Sequence, residues 1–503
     1  MLDDQISVMG KPSRRIGPPF GAWLSSRVCQ FGIIVTLSII VRLVLFMNFP
    51  VALTADSWDY LSAAEGLFHR ADFNSYAFRD IRLPAYPAFL AVTYPLTGMR
   101  ADLIVLSQIV IGVFSVVLGM IIGYRLGSNL AAIGLGLWLG LSPVYLLSEH
   151  MVMTETLCLL GLLLFTIIAM SYVNGELNWR KGLAGGLTMA LCTLIRVNAL
   201  PFCLVLLCGA LVYRRMTLRA SGQDIARRVP LTFLLALLAG VTLLMSPWLW
   251  RNFTLYHNIS LANFNNRNVL IFKVMHNRLD MTLPKMQQIS ESIGSSTVDF
   301  AWLLKLSSTH RTNEAESIAG ELFWEQVTAH PRWYLLDVAE SAIDFGGFSE
   351  FTGNDRTALL YWFMAVVNNP QQWNQINTPA WASSRSPDFK NVPVTGAAFW
   401  GELWSITGQF YLRVMRPVLY VIFVALIVAY FGQQRRKAFK VSRLPEQFIV
   451  LLTSAYLVTV LVHAVTLLDG DRYSSLFDWV AVLVVILIGQ SYYRSRASRL
   501  RPA

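Results

Sequence analysis

Apolar runs close to membrane length recur along this chain and leave little sequence for a soluble core. A membrane-spanning helix needs about 20 mostly apolar residues. Ten runs approach or reach that length, near residues 28–49, 102–124, 128–147, 153–173, 181–197, 199–213, 229–250, 411–431, 447–467 and 474–491. Only 14% of the residues are charged, whereas soluble proteins carry roughly 25%. The sequence therefore predicts an all-α polytopic membrane protein with about ten transmembrane helices.

The net charge of +11 is concentrated between the apolar runs. Lys and Arg cluster in 1–27, 214–228, 432–446 and the tail after 491. Ten spans place all four segments on one side, as the positive-inside rule requires. This pattern predicts a multi-pass protein of the cell inner (cytoplasmic) membrane with both termini cytoplasmic. It also argues against a nucleic-acid partner, which would need a basic stripe on one face.

Two long segments, residues 50–101 and 251–410, then face the periplasmic or extracellular side. We predict three regions. Residues 1–250 form an N-terminal transmembrane catalytic module, 251–410 an outer region with amphipathic helices, and 411–503 the C-terminal transmembrane helices. Residues 83–98 are apolar but short, which is typical of an interfacial or re-entrant helix. Residues 56–70 repeat apolar side chains at helical spacing, which predicts another interfacial helix. The amphipathic pattern around Pro331 predicts further helices on the membrane surface.

Acidic residues stand where the chain leaves the predicted membrane. Asp56 and Asp59 follow the first run, and Glu149 and Glu155 flank the outer ends of the third and fourth. Each has a structural interpretation: Asp56 as the N-cap of a helix starting at Ser57, and Glu155 as a favourable charge at a helix N-terminus. The functional interpretation is a set of outward-facing carboxylates that accept protons or bind substrate.

Basic residues are predicted at the same outer depth, although they are distant in sequence. A single arginine there is often explained by its side chain reaching for the interface, but a set of them suits a phosphate, which guanidinium binds bidentately. Carboxylates and arginines at one depth favour sugar or group transfer from a lipid phosphate. The candidates are Arg79, Arg82, Arg196, Arg251 and Arg472, the last followed by Tyr473.

Metal chemistry has no direct signal in the sequence. The seven histidines lack the paired spacing of metal ligands. A divalent cation bridged by Asp and Glu stays open as an alternative, because carboxylates suit Mg²⁺ or Mn²⁺. No cofactor is predicted apart from this divalent-cation alternative, and no residue is assigned as a metal ligand.

Several stretches, taken in order, resemble the GT-C glycosyltransferases, polytopic enzymes that use polyprenyl-phosphate sugars. "TADSWDYLSAAEGL" and "FRDIRLPAYPAFLAVTYPLTG" look like the first outer loop of that superfamily, including its protein O-mannosyltransferase-like and aminoarabinose transferase-like branches. "SEHMVMTETL", "IRVNALP", "PWLWRNF" and "DRY" follow in the same order. The resemblance covers roughly the first 270 residues, weakens over 270–410 and returns at 469–490.

The resemblance implies roles for individual residues. Asp56 matches the proposed catalytic base, and Tyr60 an aromatic residue that follows it. Arg82 matches the position that meets the donor phosphate, and Glu155 a second acidic position near the active site. Arg251 matches a basic position after "PW", while Arg196, Arg472 and Tyr473 match more loosely. Asp59, Arg79 and Glu149 complete the predicted substrate-binding set. The chain departs from the family pattern at Ser57 and Ile81, where relatives often carry acids.

These observations predict an inverting glycosyltransferase, a hexosyl- or pentosyltransferase that acts on the outer face. Its donor is a polyprenyl-phosphate sugar, and its acceptor is a glycan, a lipid-linked saccharide or a protein hydroxyl. Two alternatives remain. A transporter or flippase of lipid-linked glycans would bind the same phosphate without breaking a bond, and a membrane scaffold would use its outer loops only to bind a partner.

The orientation is testable with topology reporters. A fluorescent protein that folds only in the cytoplasm should fluoresce when fused after residue 503. An alkaline phosphatase that is active only outside should be active when fused near residue 390, because the positive-inside rule places that segment outward. The reverse pair of signals at these two fusion sites would contradict the predicted orientation.

Overall fold

The computed structural model describes residues 27–49, 51–73, 82–98, 100–220, 229–257, 259–261, 270, 273, 278–294, 312–345, 398–436, 444–465 and 475–500. Within these ranges helices account for all the regular structure apart from one isolated β-bridge, and no strand is present. The predicted all-α class is therefore confirmed for the described chain.

The N-terminal half contains ten helices in the described ranges. They are α1 (Arg27–Asn48), α2 (Ala55–Arg70), α3 (Ala85–Thr97), α4 (Ala101–Arg125), α5 (Asn129–Leu141), α6 (Pro143–His150), α7 (Glu155–Val173), α8 (Trp179–Ile195), α9 (Ala199–Ala220) and α10 (Leu231–Tyr256).

The C-terminal half continues with seven helices in the described ranges. They are α11 (Pro284–Ile293), α12 (Thr312–Ala329), α13 (Pro331–Phe345), α14 (Ala398–Phe410), α15 (Arg416–Arg436), α16 (Leu444–Val465) and α17 (Asp478–Leu500). A π-helical turn, Tyr411–Met415, joins α14 to α15, and a short 3₁₀ turn, Ser475–Phe477, precedes α17.

A helix stands at each of the ten predicted spans. Seven helical stretches of the described chain are long and apolar enough to cross a membrane, or eight when α5 and α6 count as one bent span. The two others are shorter. Helix α8 has 17 residues, and the apolar part of α16 runs from Phe448 to Ala464. The protein is therefore a multi-pass membrane protein.

The third predicted span is broken in the structure. Helix α5 ends at Leu141, and α6 starts at Pro143 with its axis bent by 46°. Proline lacks the N–H that would continue the hydrogen-bond ladder, and its ring clashes with the preceding turn, so it is favoured at the first position of a helix, where Pro143 stands. The bend carries Glu149 back into the bundle, whereas the sequence placed this residue in an outer loop.

Small residues bring α8 and α10 into close contact. A Cβ added at Gly240 of α10 would lie 2.7 Å from the Leu183 carbonyl oxygen, and one at Gly182 or Gly186 of α8 would overlap backbone atoms of α10. Without a hydrophobic driving force between helices in lipid, such small-residue contacts are a main source of packing energy. The Gly182–Gly186 spacing is the G-x-x-x-G pattern of membrane helix pairs.

The predicted break at Pro331 is confirmed, because α12 ends at Ala329 and α13 begins at Pro331. Helices α11, α12 and α13 share a small apolar core that includes Met286, Leu322 and Phe323. Helix α13 also packs against the membrane helix α16. The structure therefore places part of the second outer segment alongside the bundle.

Two buried ion pairs tie membrane helices together. Arg42 of α1 donates to Glu149 of α6 at 2.7 Å and to the carbonyl oxygens of Leu139 and Gly140 at the end of α5. Near the other end of the chain, Arg416 of α15 lies 3.1 Å from Asp478 of α17. Arg42 is a charged residue within the first apolar run, and the sequence alone does not show that Glu149 is its partner.

The Arg42–Glu149 pair should contribute strongly to stability. Glu149→Ala leaves the Arg42 guanidinium buried without its carboxylate, and breaking a buried pair in this way costs about 3–5 kcal/mol. The double variant Arg42→Met/Glu149→Leu should recover most of that loss. Reversible unfolding in mixed micelles measures both differences.

The matched control is Asp102→Ala, because Asp102 forms an exposed ion pair with Arg100. Exposed pairs of this kind are worth about 0–1 kcal/mol. A loss for Glu149→Ala no larger than the loss for the control would contradict a stabilising role for the Arg42–Glu149 pair.

Candidate active site

Two extended segments lie side by side and set the starts of two helices. Ala52 and Met151 form a parallel bridge, and the Ala52 amide donates to the His150 carbonyl oxygen at 3.0 Å. The Thr54 hydroxyl also reaches the Met153 sulfur at 3.3 Å. Helices α2 and α7 begin directly after these segments, so their first turns, which carry Asp56 and Glu155, lie near one another.

The N-cap of α2 is Thr54, and the structural interpretation of Asp56 as a cap is wrong. Thr54 and Ser57 form a reciprocal capping box, in which each side chain accepts a hydrogen bond from the backbone N–H of the other residue. A cap of this kind satisfies amide groups that otherwise lack a partner at a helix start. The Asp56 carboxylate is therefore available for other contacts.

Asp56 and Asp59 both bind Arg82, which lies between α2 and α3 in the chain. The guanidinium donates to Asp59 through Nε at 3.1 Å and through Nη2 at 2.9 Å, and Nη2 also donates to Asp56. The arginine side chain is 14% exposed and the two carboxylates 26% and 38%. The cluster is partly buried but remains open to a substrate.

The surroundings alter the protonation of this cluster. Burial alone would lower the pKa of Arg82, but the charges of Asp56 and Asp59 raise it above its ordinary value. Burial raises the pKa of Asp59, and this effect exceeds the lowering by Arg82. A carboxylate with a raised pKa is a stronger base, which suits proton transfer from a hydroxyl group.

Tyr60 connects this cluster to a second ion pair. The Arg82 guanidinium carbon lies 5.2 Å from the centre of the Tyr60 ring, within the range of a cation–π contact. Glu155 at the start of α7 and Arg196 at the end of α8 form an ion pair at 2.8 Å, with both side chains 8% exposed. The Tyr60 hydroxyl interacts electrostatically with both ion pairs. Tyr60 thus interacts with two charged groups, the partly exposed Asp56–Asp59–Arg82 cluster and the buried Glu155–Arg196 pair.

Gln108 of α4 is a site neighbour that sequence reasoning missed. Its amide nitrogen donates to the carbonyl oxygens of Glu149 and Met151, and its amide oxygen accepts from the Tyr86 hydroxyl at 2.6 Å. The Tyr86 ring packs edge-on against Tyr60, with 5.0 Å between ring centres. The only signal in the sequence was an amide side chain within a largely apolar run. Such a group must be hydrogen-bonded when the helix is buried.

Two predicted site residues have their contacts elsewhere. Glu149 pairs with Arg42 inside the bundle, and its side chain is 3% exposed. Arg251 of α10 donates to the Phe73 carbonyl oxygen at 3.0 Å and lies over the Trp248 ring, so it holds the segment that follows α2. Their predicted substrate-binding roles stay predictions.

Three further predicted residues, Arg79, Arg472 and Tyr473, lie outside the described residues. Within the described chain, no group of three or more His, Cys, Asp or Glu side chains is placed to hold a metal ion. Asp56 and Asp59, the carboxylates most open to solvent at the site, are both engaged by Arg82. An arginine therefore occupies the place where a bridging cation would bind.

Comparison with known proteins gives one structural similarity. No protein-family model matches the chain, and no curated protein matches it significantly. Two crystal structures of ArnT from Cupriavidus metallidurans align with it, one bound to undecaprenyl phosphate and one in the apo state. Each alignment covers 93% of this chain and 78% of the other at 14% identity, with TM-scores of 0.34 and 0.33. Similarity at this level transfers neither a family nor a residue role to this chain.

Removing Arg82 should make the stability of the protein depend on pH. In Arg82→Gln the two carboxylates face each other without their cation, so their shared pKa rises above the ordinary value of about 4. The folded variant then binds more protons than the unfolded chain between pH 4 and that raised pKa. Its stability, relative to the wild type, should therefore fall as pH rises through this window. Unfolding temperatures measured at several pH values test this expectation.

The control variant is Arg100→Gln, which removes the arginine of the ion pair with Asp102 outside the candidate site. The hydrogen bond from Arg100 lowers the pKa of Asp102, so this variant should differ from the wild type in pH dependence only below about pH 4 and run parallel to it above that pH. An Arg82→Gln curve that also runs parallel to the wild type would show that the Asp56–Asp59 repulsion is negligible.

Proposed function

We propose that this chain is a membrane-embedded glycosyltransferase that uses a polyprenyl-phosphate sugar as its donor. The observation that carries the proposal is that Arg82 forms ion pairs with both Asp56 and Asp59 at the start of α2. This cluster places a carboxylate that can act as a base next to an arginine that can bind phosphate, and both are partly exposed. The motif resemblance of residues 54–98 to GT-C enzymes supports the same activity.

The arrangement fits an inverting displacement. The Asp56 carboxylate takes the proton of an acceptor hydroxyl, and the acceptor oxygen forms a bond to the anomeric carbon. The bond from that carbon to the phosphate oxygen breaks, and the polyprenyl phosphate leaves with the electron pair. Arg82 stabilises the growing negative charge, which is a large contribution when the donor group is already in place.

Arg82 can perform this role while it still holds the carboxylates. A guanidinium carries five N–H donors, and the contacts to Asp56 and Asp59 use only Nε and Nη2. The N-terminus of α2 adds a favourable field for an anion near its first turn. A phosphate that approaches Arg82 also competes with Asp56 for Nη2, which frees that carboxylate to act as a base.

The buried Glu155–Arg196 pair is suited to a supporting role. Both side chains are largely withdrawn from solvent, so direct proton exchange with an acceptor is less accessible there than at Asp56. The charges of Glu155 and Arg196 act on Tyr60, as those of Asp56 and Arg82 do. We propose that Glu155 and Arg196 hold the start of α7 in place and shape the field at the reacting atoms.

The proposal extends to substrates and location. The donor lipid enters from the membrane, as the many apolar side chains exposed on the spanning helices allow. The acceptor is a glycan, a lipid-linked saccharide or a protein hydroxyl on the outer side of the cell inner membrane, and region 251–410 contributes to its recognition. One of the similar ArnT structures is bound to undecaprenyl phosphate, which makes that lipid the first donor carrier to test.

Sugar transfer by the purified protein tests the proposal. Wild type, Asp56→Asn and Arg82→Gln are assayed in detergent with labelled polyprenyl-phosphate sugars and a membrane extract as acceptor. Asp56→Asn should bind donor normally but lose about 10²–10⁴-fold in kcat, the usual contribution of a general base. Arg82→Gln should weaken both donor binding and transfer.

Asp102→Asn and Arg100→Gln are the matched controls, because this exposed pair carries the same charges outside the site. Both should retain wild-type transfer. Equal transfer by wild type and Asp56→Asn would remove Asp56 from the mechanism and direct attention to Asp59. Donor binding and transbilayer movement of the lipid without any transfer would favour a flippase.

A further inference from the structure

Helix α13 in the second outer segment has its polarity reversed relative to a helix of a soluble domain. Asp337, Ser341 and Asp344 follow one another at helical spacing and are at most 2% exposed. Leu335, Leu336 and Ile343 lie on the opposite face and are 65%, 53% and 45% exposed. A water-facing helix buries its apolar stripe and exposes its polar one, so this helix has the arrangement expected next to lipid.

The inward polar face is satisfied by charges from the same segment. Lys273 donates to Asp337 at 2.8 Å, and both side chains are almost completely buried. Arg278 donates to Asp337 and to Glu340. Buried charges persist only when they are paired and hydrogen-bonded. This network therefore explains why the carboxylates of α13 point inward although apolar side chains point outward.

The outward apolar face continues a surface that already faces lipid. Helix α13 packs against the membrane helix α16, and Leu457 and Leu461 of α16 are 51% and 59% exposed. Exposed leucines on a spanning helix contact acyl chains. An adjoining helix with the same outward chemistry extends that contact area without a break.

The neighbouring helix α12 provides the contrast. Its exposed positions Glu314, Ser317, Glu321 and Thr328 recur at helical spacing and are polar, and Glu321 pairs with Lys285 of α11 on the surface. Trp324 is the large apolar residue on that face. Helices α11 and α12 thus present a water-facing surface, while α13 of the same small unit does not.

We infer that α13 lies in the outer leaflet of the membrane, with Leu335, Leu336, Ala339 and Ile343 in contact with lipid acyl chains. Arg332 at the start of the helix extends its guanidinium to the headgroups, as long basic side chains near a membrane helix end do. The small unit of α11, α12 and α13 is then seated in the bilayer by one helix and faces water with the other two. This inference does not depend on the proposed glycosyl transfer.

Spin-label accessibility in a bilayer tests the inference. Cys208, the exposed cysteine, is replaced by Ser, and the four buried cysteines are kept. Nitroxides are then attached to Leu336→Cys and Ile343→Cys on α13, and to Ser317→Cys and Glu321→Cys on α12, in the full chain reconstituted in phosphatidylcholine–phosphatidylglycerol vesicles. Molecular oxygen concentrates in lipid and a nickel chelate in water, so their collision rates with the label report its surroundings.

The ratio of oxygen to nickel accessibility should be several-fold higher at positions 336 and 343 than at 317 and 321. Nickel access at 336 and 343 equal to that at 317 and 321 would place α13 in water and overturn the inference. Exclusion of both reagents from 336 and 343, relieved when the protein is diluted in lipid, would identify a second copy of the chain as the occupant and also overturn it. Should either labelled variant elute as an aggregate, Leu335→Cys provides another position on the same face.

Discussion

An ion pair within the apolar bundle, Arg42 with Glu149, determines how the end of α1 meets the end of α6. In a low-dielectric interior neither charge is tolerable alone, so the two must be brought together as the helices pack. Their contact draws α6 back towards α1 after the bend at Pro143. The segment that follows Glu149 is thereby held beside residues 51–54, where the Ala52 amide bonds to His150. The Arg42–Glu149 pair therefore helps to position the first turns of α2 and α7.

The charged groups of the described bundle divide into buried pairs that hold the structure and one more exposed cluster. Arg42–Glu149, Glu155–Arg196 and Arg416–Asp478 are buried pairs, whose attraction is little screened by water. The cluster of Asp56, Asp59 and Arg82 is half exposed. Its contacts are correspondingly weaker and can be exchanged for contacts to a phosphate. A rigid frame of buried pairs around one exchangeable cluster is the arrangement that preorganised catalysis requires.

The sequence predicted what depends on length and period, and missed what depends on partners. A helix stands at each of the ten predicted apolar runs, of which seven or eight are long and apolar enough to cross a membrane, and Pro331 marked the break between α12 and α13. The bend at Pro143 was hidden because apolar residues continue through it. Glu149 was expected in an outer loop because nothing in the local sequence shows that it meets Arg42, which lies more than a hundred positions away. Asp56 and Arg82 were both predicted, yet their direct contact, and the shared use of Arg82 by Asp59, required coordinates.

The π-helical turn between α14 and α15 has a consequence for the whole of the helix before it. Tyr411 and Arg416 both contact Asp478 although they are five positions apart, a spacing that an α-helix would send to different faces. The wider turn keeps them together. Each residue of an α-helix advances the chain by about 100°, so the turn also sets the rotation at which Trp404 meets Phe49 and His150. The number of residues in this turn is thus part of the architecture, because one amino acid inserted or deleted there would rotate an entire face of α14 away from Phe49 and His150.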